Sequence, residues 1–148
     1  MGKPTTFAGL ILKHLFQNLA IANLGDASGV QPSATAGSVY VSLHTADPGA
    51  AGSQTTNEIA YTSYARVAVA RGVGTWTHST NQVVNASAIT FPTCGASGGT
   101  ATYFGVGTDS SGAGTLMYSG ALTSPSSLAI SNGITPQFAA SALTIAET

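Results

Sequence analysis

Ser42, His44 and Asp47 place the three residue types of a hydrolase triad within one short stretch, Tyr40-Val-Ser-Leu-His-Thr-Ala-Asp-Pro48. A triad works when hydroxyl, imidazole and carboxylate converge beside an oxyanion hole, normally from separate elements, and a nucleophilic serine is exposed by a sharp Gly-x-Ser-x-Gly turn. Neither condition is met. Ser42 and His44 lie two apart on one alternating strand, and Asp47-Pro48-Gly49 is turn chemistry, so Asp47 is read as opening a turn. His14, His44 and His78 have no paired spacing, so a zinc site is not expected. Cys94, the single cysteine, has no CxxC partner and is read as a small apolar filler. Gly105-Val-Gly107 begins like a phosphate-binding turn, but a strand pattern follows where a helix is required. The stretch to Gly114 is therefore a β-hairpin connection with its turn at residues 109–112, and Asp109 alone supplies too few carboxylates for calcium. Asn85-Ala-Ser87 has the form of a glycosylation acceptor, a pattern common by chance. No catalytic residue, metal or cofactor is expected.

Side chains of these types need elements to position them, and the chain reads as mainly β. Residues 1–24 form the exception, with Phe7, Leu10, Ile11, Leu15, Leu19 and Ala22 at helical spacing, Thr5 or Thr6 as the cap and Gly25 as the stop. Lys13, His14, Gln17 and Asn18 interrupt what a secretory signal would need as an unbroken apolar run. No stretch is apolar for the roughly 20 residues of a membrane span, so membrane insertion is not expected. Residues 25–37 have linker composition, which makes the helix an arm separate from a β domain over 38–148. In that domain Val39, Val41 and Leu43 share one strand face, and Tyr40, Ser42 and His44 share the other. Strands are also expected near residues 64–71, 75–78, 82–84, 86–91, 101–106, 116–119, 127–130, 136–140 and 143–145. Short strands at this spacing, punctuated by Gly, Asn, Ser and Pro, predict an antiparallel β-sandwich of jelly-roll or Greek-key type. Its expected core is Val41, Leu43, Val67, Val69, Ile89, Phe91, Phe104, Phe138 and Ile145.

Composition narrows the function classes. Only 6% of the 148 residues are charged, and Ala, Gly, Ser and Thr fill about half of the positions; soluble domains average about 25% charged. Four basic residues and a net charge of -1 provide no footprint for nucleic acid. A surface so poor in charge resists self-contact weakly, so an oligomer is expected. The expected contact surface is the helix stripe Phe7, Leu10, Ile11, Leu15 and Leu19, together with Tyr40, His44, Tyr64 and Arg66 on the strands.

The same residues carry a resemblance. The amphipathic N-terminal helix, Tyr40-Val-Ser-Leu-His-Thr-Ala-Asp-Pro48, Glu58 with Tyr64-Ala-Arg66, Ala88-Ile-Thr-Phe-Pro92, Tyr103-Phe-Gly-Val-Gly107, Leu116-Met-Tyr-Ser-Gly-Ala-Leu-Thr123 and Phe138-Ala-Ala-Ser-Ala-Leu-Thr-Ile145 together resemble small virion structural proteins of tailed bacteriophages. Tyr103-Phe-Gly stands where relatives are expected to have His-Phe-Gly. The resemblance implies a non-enzymatic virion protein made in the host bacterial cytoplasm. Its first implied role is a cement or decoration protein, with a trimer as the favoured oligomer, on the capsid exterior that bridges major capsid subunits. Its second is a tail or tail-fibre protein that contacts a host surface glycan.

Overall fold

The computed structural model describes residues 2–148 and is mainly β, with antiparallel ladders and one N-terminal helix, as the residue pattern predicts. In chain order the elements are α1 (Thr5–Gln17), β1 (Ser38–His44), β2 (Val67–Ala70), β3 (Trp76–Ser79), β4 (Gln82–Asn85), β5 (Ile89–Thr90), β6 (Gly99–Ala101), β7 (Tyr103–Gly107), β8 (Leu116–Ala121), β9 (Leu128–Ile130), β10 (Gln137–Phe138) and β11 (Thr144–Ala146). They form sheets in the orders β2-β1-β7-β8, β11-β4-β3, β10-β5 and β6-β9. The chain divides into two compact units.

One unit contains the chain up to Ser38, Ala70–Ala88 and Phe138–Thr148. Here α1 packs on β3 and β4. Ala8, Leu12 and Phe16, spaced by four, are fully buried, and Phe16 meets Trp76 edge to face with ring centroids 4.8 Å apart. Gly9 lets the helix come this close, because a side chain there would run into the Thr80 carbonyl and the His78 ring. The expected stripe flanks this buried one: Leu10, Ile11 and Leu15 are half-buried, while Phe7 and Leu19 are exposed. Both stripes fit a 3.6-residue period and adjoin on one broad apolar face opposite Thr6, Lys13, His14 and Gln17, so periodicity alone does not choose which part of that face is buried. No side chain caps the start of α1, whose N-cap is Pro4. It ends earlier than expected, at Asn18 in the left-handed conformation (φ 55°), which asparagine tolerates better than most residues. The Asn18 amide then holds the Ser33 backbone through two hydrogen bonds of 2.9 Å. The helix packs within its own unit, and residues 25–37, expected as a linker, lie in that unit with it, tied at Val30 to Ile21 and at Ser33 to Asn18.

The other unit comprises Val39–Val69 and Ile89–Gln137. Strands β1 and β7 occupy the middle of its four-stranded sheet, in the register Ser42↔Gly105 and His44↔Tyr103. Val41 and Leu43 are buried with Val106, as alternation requires. The β7–β8 hairpin forms as read, with residues 108–115 connecting the two strands. Of the expected core, Val41, Leu43, Val69, Ile89, Phe91 and Ile145 are buried, while Val67, Phe104 and Phe138 are half-buried. The correction is in the number of cores: Phe138 and Ile145 belong to the helix-bearing unit and the other seven to this one.

Candidate functional site

At Ser42 and His44 the polar side of β1 is buried as completely as the apolar side. Ser42 and His44 both have 0% exposure, and the turn-rich segment after the strand closes over them and contributes the buried Gln54. The Ser42 hydroxyl and His44 Nε2 are 2.8 Å apart, and His44 Nδ1 is 2.8 Å from the Thr56 carbonyl. A carbonyl only accepts, so Nδ1 carries the proton, and Nε2 accepts from the Ser42 hydroxyl. Burial holds His44 below its ordinary value against the opposing pull of the Thr56 carbonyl and Glu58, while Arg66 adds to the lowering. The ring is neutral and locked.

Beside it, Arg66 donates twice to the Glu58 carboxylate, from Nε and a terminal nitrogen, each at 2.7 Å. Two more of its donors go to the carbonyls of Asp109 at 2.9 Å and Gly112 at 2.8 Å. The hydrogen bonds with Glu58 raise Arg66 above its ordinary value despite burial. Tyr64 donates to Glu58 at 2.9 Å and accepts from the Leu43 amide at 3.1 Å, and burial pushes its hydroxyl far up. The Gln54 side chain exchanges two bonds with the Asp109 backbone, 3.2 Å and 2.9 Å long, and the Gln54 backbone N–H donates to the Ala113 carbonyl at 2.8 Å. Four side chains on the 54–66 stretch thus fasten the exposed hairpin connection and the strand β1 together.

Gly105 and Gly107 have their explanation here. A Cβ at 105 would lie 2.5 Å from His44 Nε2 and 2.6 Å from the Ser42 hydroxyl, and one at 107 would run into the Gln54 side chain. These glycines leave room for buried polar groups; they do not cradle phosphate. Ser42 and His44 have the contact distance of a nucleophile and its base, but the imidazole is oriented by a carbonyl, and β7 fills the space that a substrate would need. Asp47 is outside the pair: its carboxylate accepts from the Gly49 amide at 2.8 Å, as an Asp opening a turn does.

Two further polar groups have structural roles that sequence reading did not assign. Arg71 donates to the Leu15 carbonyl at 2.6 Å and the His14 carbonyl at 2.7 Å, covering the negative end of α1, and to the Ala36 carbonyl at 3.0 Å. Asn85 is 1% exposed, donates to the Ser87 and Ala139 carbonyls and accepts from the Leu143 amide, all at 2.8 Å. Its amide is spent inside the fold and is closed to glycosylation. Buried Cys94 fits the filler reading.

Of the residues expected at an interface, His44 and Arg66 are interior, because β1 is a central strand and Arg66 bonds to Glu58 and to the hairpin connection. Tyr40, Tyr64, Leu10, Ile11 and Leu15 are half-buried, and Phe7 and Leu19 are 37% and 39% exposed. The helix residues lie in one unit and the strand residues in the other. Gln54 was missed, and its signal was faint, one uncharged amide inside a loop-like Ser-Gln-Thr-Thr-Asn run.

No helix among the described residues is long and apolar enough to cross a membrane. No curated protein matches the chain. A family model described as podophage GP4 fiber I protein gp80 matches residues 7–146. With nearly all of its length inside that match, the chain belongs to this family of phage virion structural proteins.

Proposed function

We propose that this chain is a non-enzymatic subunit of a tail fibre, built into the virion together with further copies of itself and with tail proteins. The observation that carries this reading is the match of residues 7–146 to a family described as a fibre protein. That description favours the tail role over the capsid cement role that the sequence resemblance put first. A structural role is supported by how the chemistry-bearing residues are used. Ser42 and His44 are enclosed, Arg66 and Glu58 pair with each other, and their remaining bonds brace loops. The exposed Phe7 and Leu19 and the half-buried Leu10, Ile11 and Leu15 are the side chains of α1 and its exit that we assign to contacts within the assembly. Electron microscopy of intact particles tests the reading. A few copies on the tail are expected, and hundreds of copies over the head would return the chain to the cement role.

A further inference from the structure

Strand β8 ends the order β2-β1-β7-β8, so among the described residues one of its edges has no neighbouring strand. The Leu122 amide donates to the Thr102 carbonyl at 2.8 Å. Bonded positions in an antiparallel ladder recur every second residue, so Gly120 and Tyr118 also turn their backbone groups toward β7, opposite Phe104 and Val106. Ser119 and Ala121, both exposed, turn theirs outward. A register shift at the start of the strand takes up Met117 as the extra residue and leaves 118–121 as a regular ladder. Along the same strand runs an open crevice of about 140 Å³, bounded by the turn at residues 49–52 and by residues 116–119.

Free strand edges are usually protected by Lys, Pro or inward-pointing charge, because they otherwise pair with other chains. This edge has none of these. Leu116-Met-Tyr-Ser-Gly-Ala121 and the crevice wall contain no charged residue and no proline, and no residue from Ser110 to Ala146 is charged. A charged peptide would lose hydration there without finding a counter-charge. A neutral extended strand gains backbone hydrogen bonds and meets no like-charge repulsion. The chain itself is a source of neutral strands, and the fibre-subunit reading supplies neighbouring copies, on which this step rests.

We infer that the outward edge of β8 accepts an extended, uncharged strand from a second copy of this chain, with the Ser119 and Ala121 backbone groups forming the new ladder. The test uses the purified full-length chain, sedimentation velocity over a dilution series and amide hydrogen exchange at both ends of that series. Wild type should associate as concentration rises, and the Ser119 and Ala121 amides should exchange at least about tenfold more slowly in the associated form. Ser119→Lys places a charge on the edge and should weaken association by about tenfold or more while leaving thermal unfolding followed by circular dichroism unchanged. Ser119→Pro removes one outward donor and should act in the same direction; if it disturbs folding, the lysine variant still decides. The inference is overturned if wild type stays monomeric, if it associates while both amides exchange as in the monomer, or if Ser119→Lys associates like wild type. These readouts do not depend on where the chain sits in the particle. A map that places it on the head would overturn the fibre reading and leave a positive result on β8 standing.

Discussion

Arg66 shows why side-chain chemistry in this protein reads as architecture. A guanidinium offers five donors in a rigid plane, and here that plane is met by one carboxylate and two backbone carbonyls. Arg66→Ala leaves the Glu58 carboxylate in a largely buried site without its counter-ion, so it should cost about 3 to 5 kcal/mol in urea unfolding. Arg66→Lys should recover only part of that, since an ammonium cannot reproduce the forked contact. A full recovery would mean that charge alone matters there. His44 makes the protein sensitive to acid. Burial lowers its proton affinity below the unfolded value of about 6.5, so the unfolded chain takes up the proton first. The stabilising contribution is complete above about pH 6.5 and is lost as pH falls through the lowered value. His78 is lowered too, by burial and then by Lys13, and adds to the same trend. Denaturant midpoints should therefore drop on acidification, and His44→Gln should flatten part of that drop; an unchanged slope in the variant would exclude His44 as the cause.

At the scale of elements, two close approaches determine how the strands and helix are seated. Gly105 lets β7 pass beneath Ser42 and His44, so Gly105→Ala should overpack the sheet by about 1 to 3 kcal/mol. Helix α1 divides its apolar residues between a buried stripe and an outer one, and the two stripes should respond differently. Phe16→Ala removes a fully buried ring in contact with Trp76 and should cost about 3 to 5 kcal/mol. Phe7→Ala, at 37% exposure, should change chain stability by no more than about 1 kcal/mol. Equal losses in thermal unfolding would show that the helix is seated on the outer stripe. An effect of Phe7→Ala on particle incorporation without a stability loss is the result expected for an assembly contact.

For the molecule as a whole, Trp76 is the single tryptophan and lies under α1, so its fluorescence reports on the helix-bearing unit. Deleting residues 2–18 should shift its emission to the red and remove the cooperative transition seen at that wavelength. A native-like emission spectrum would instead make the helix a detachable arm. The mainly antiparallel β character, most strand positions and the β7–β8 hairpin were all legible in the residues. Period-two alternation and turn punctuation are local properties, and the chain displays them plainly. Local patterns do not say what covers a face. Ser42 and His44 alternate with Val41 and Leu43 as an outward polar face would, and only the closing segment with Gln54 and Thr56 makes that face interior. Likewise Ala8-Leu12-Phe16 and the outer stripe of α1 both have helical spacing, and the ring of Trp76, sixty positions beyond Phe16, selects between them. Sequence by itself determined the elements, because their signals lie within a few residues of one another. Tertiary structure decided which faces are buried, which polar groups pair and where the chain divides, because each depends on partners far away along the chain.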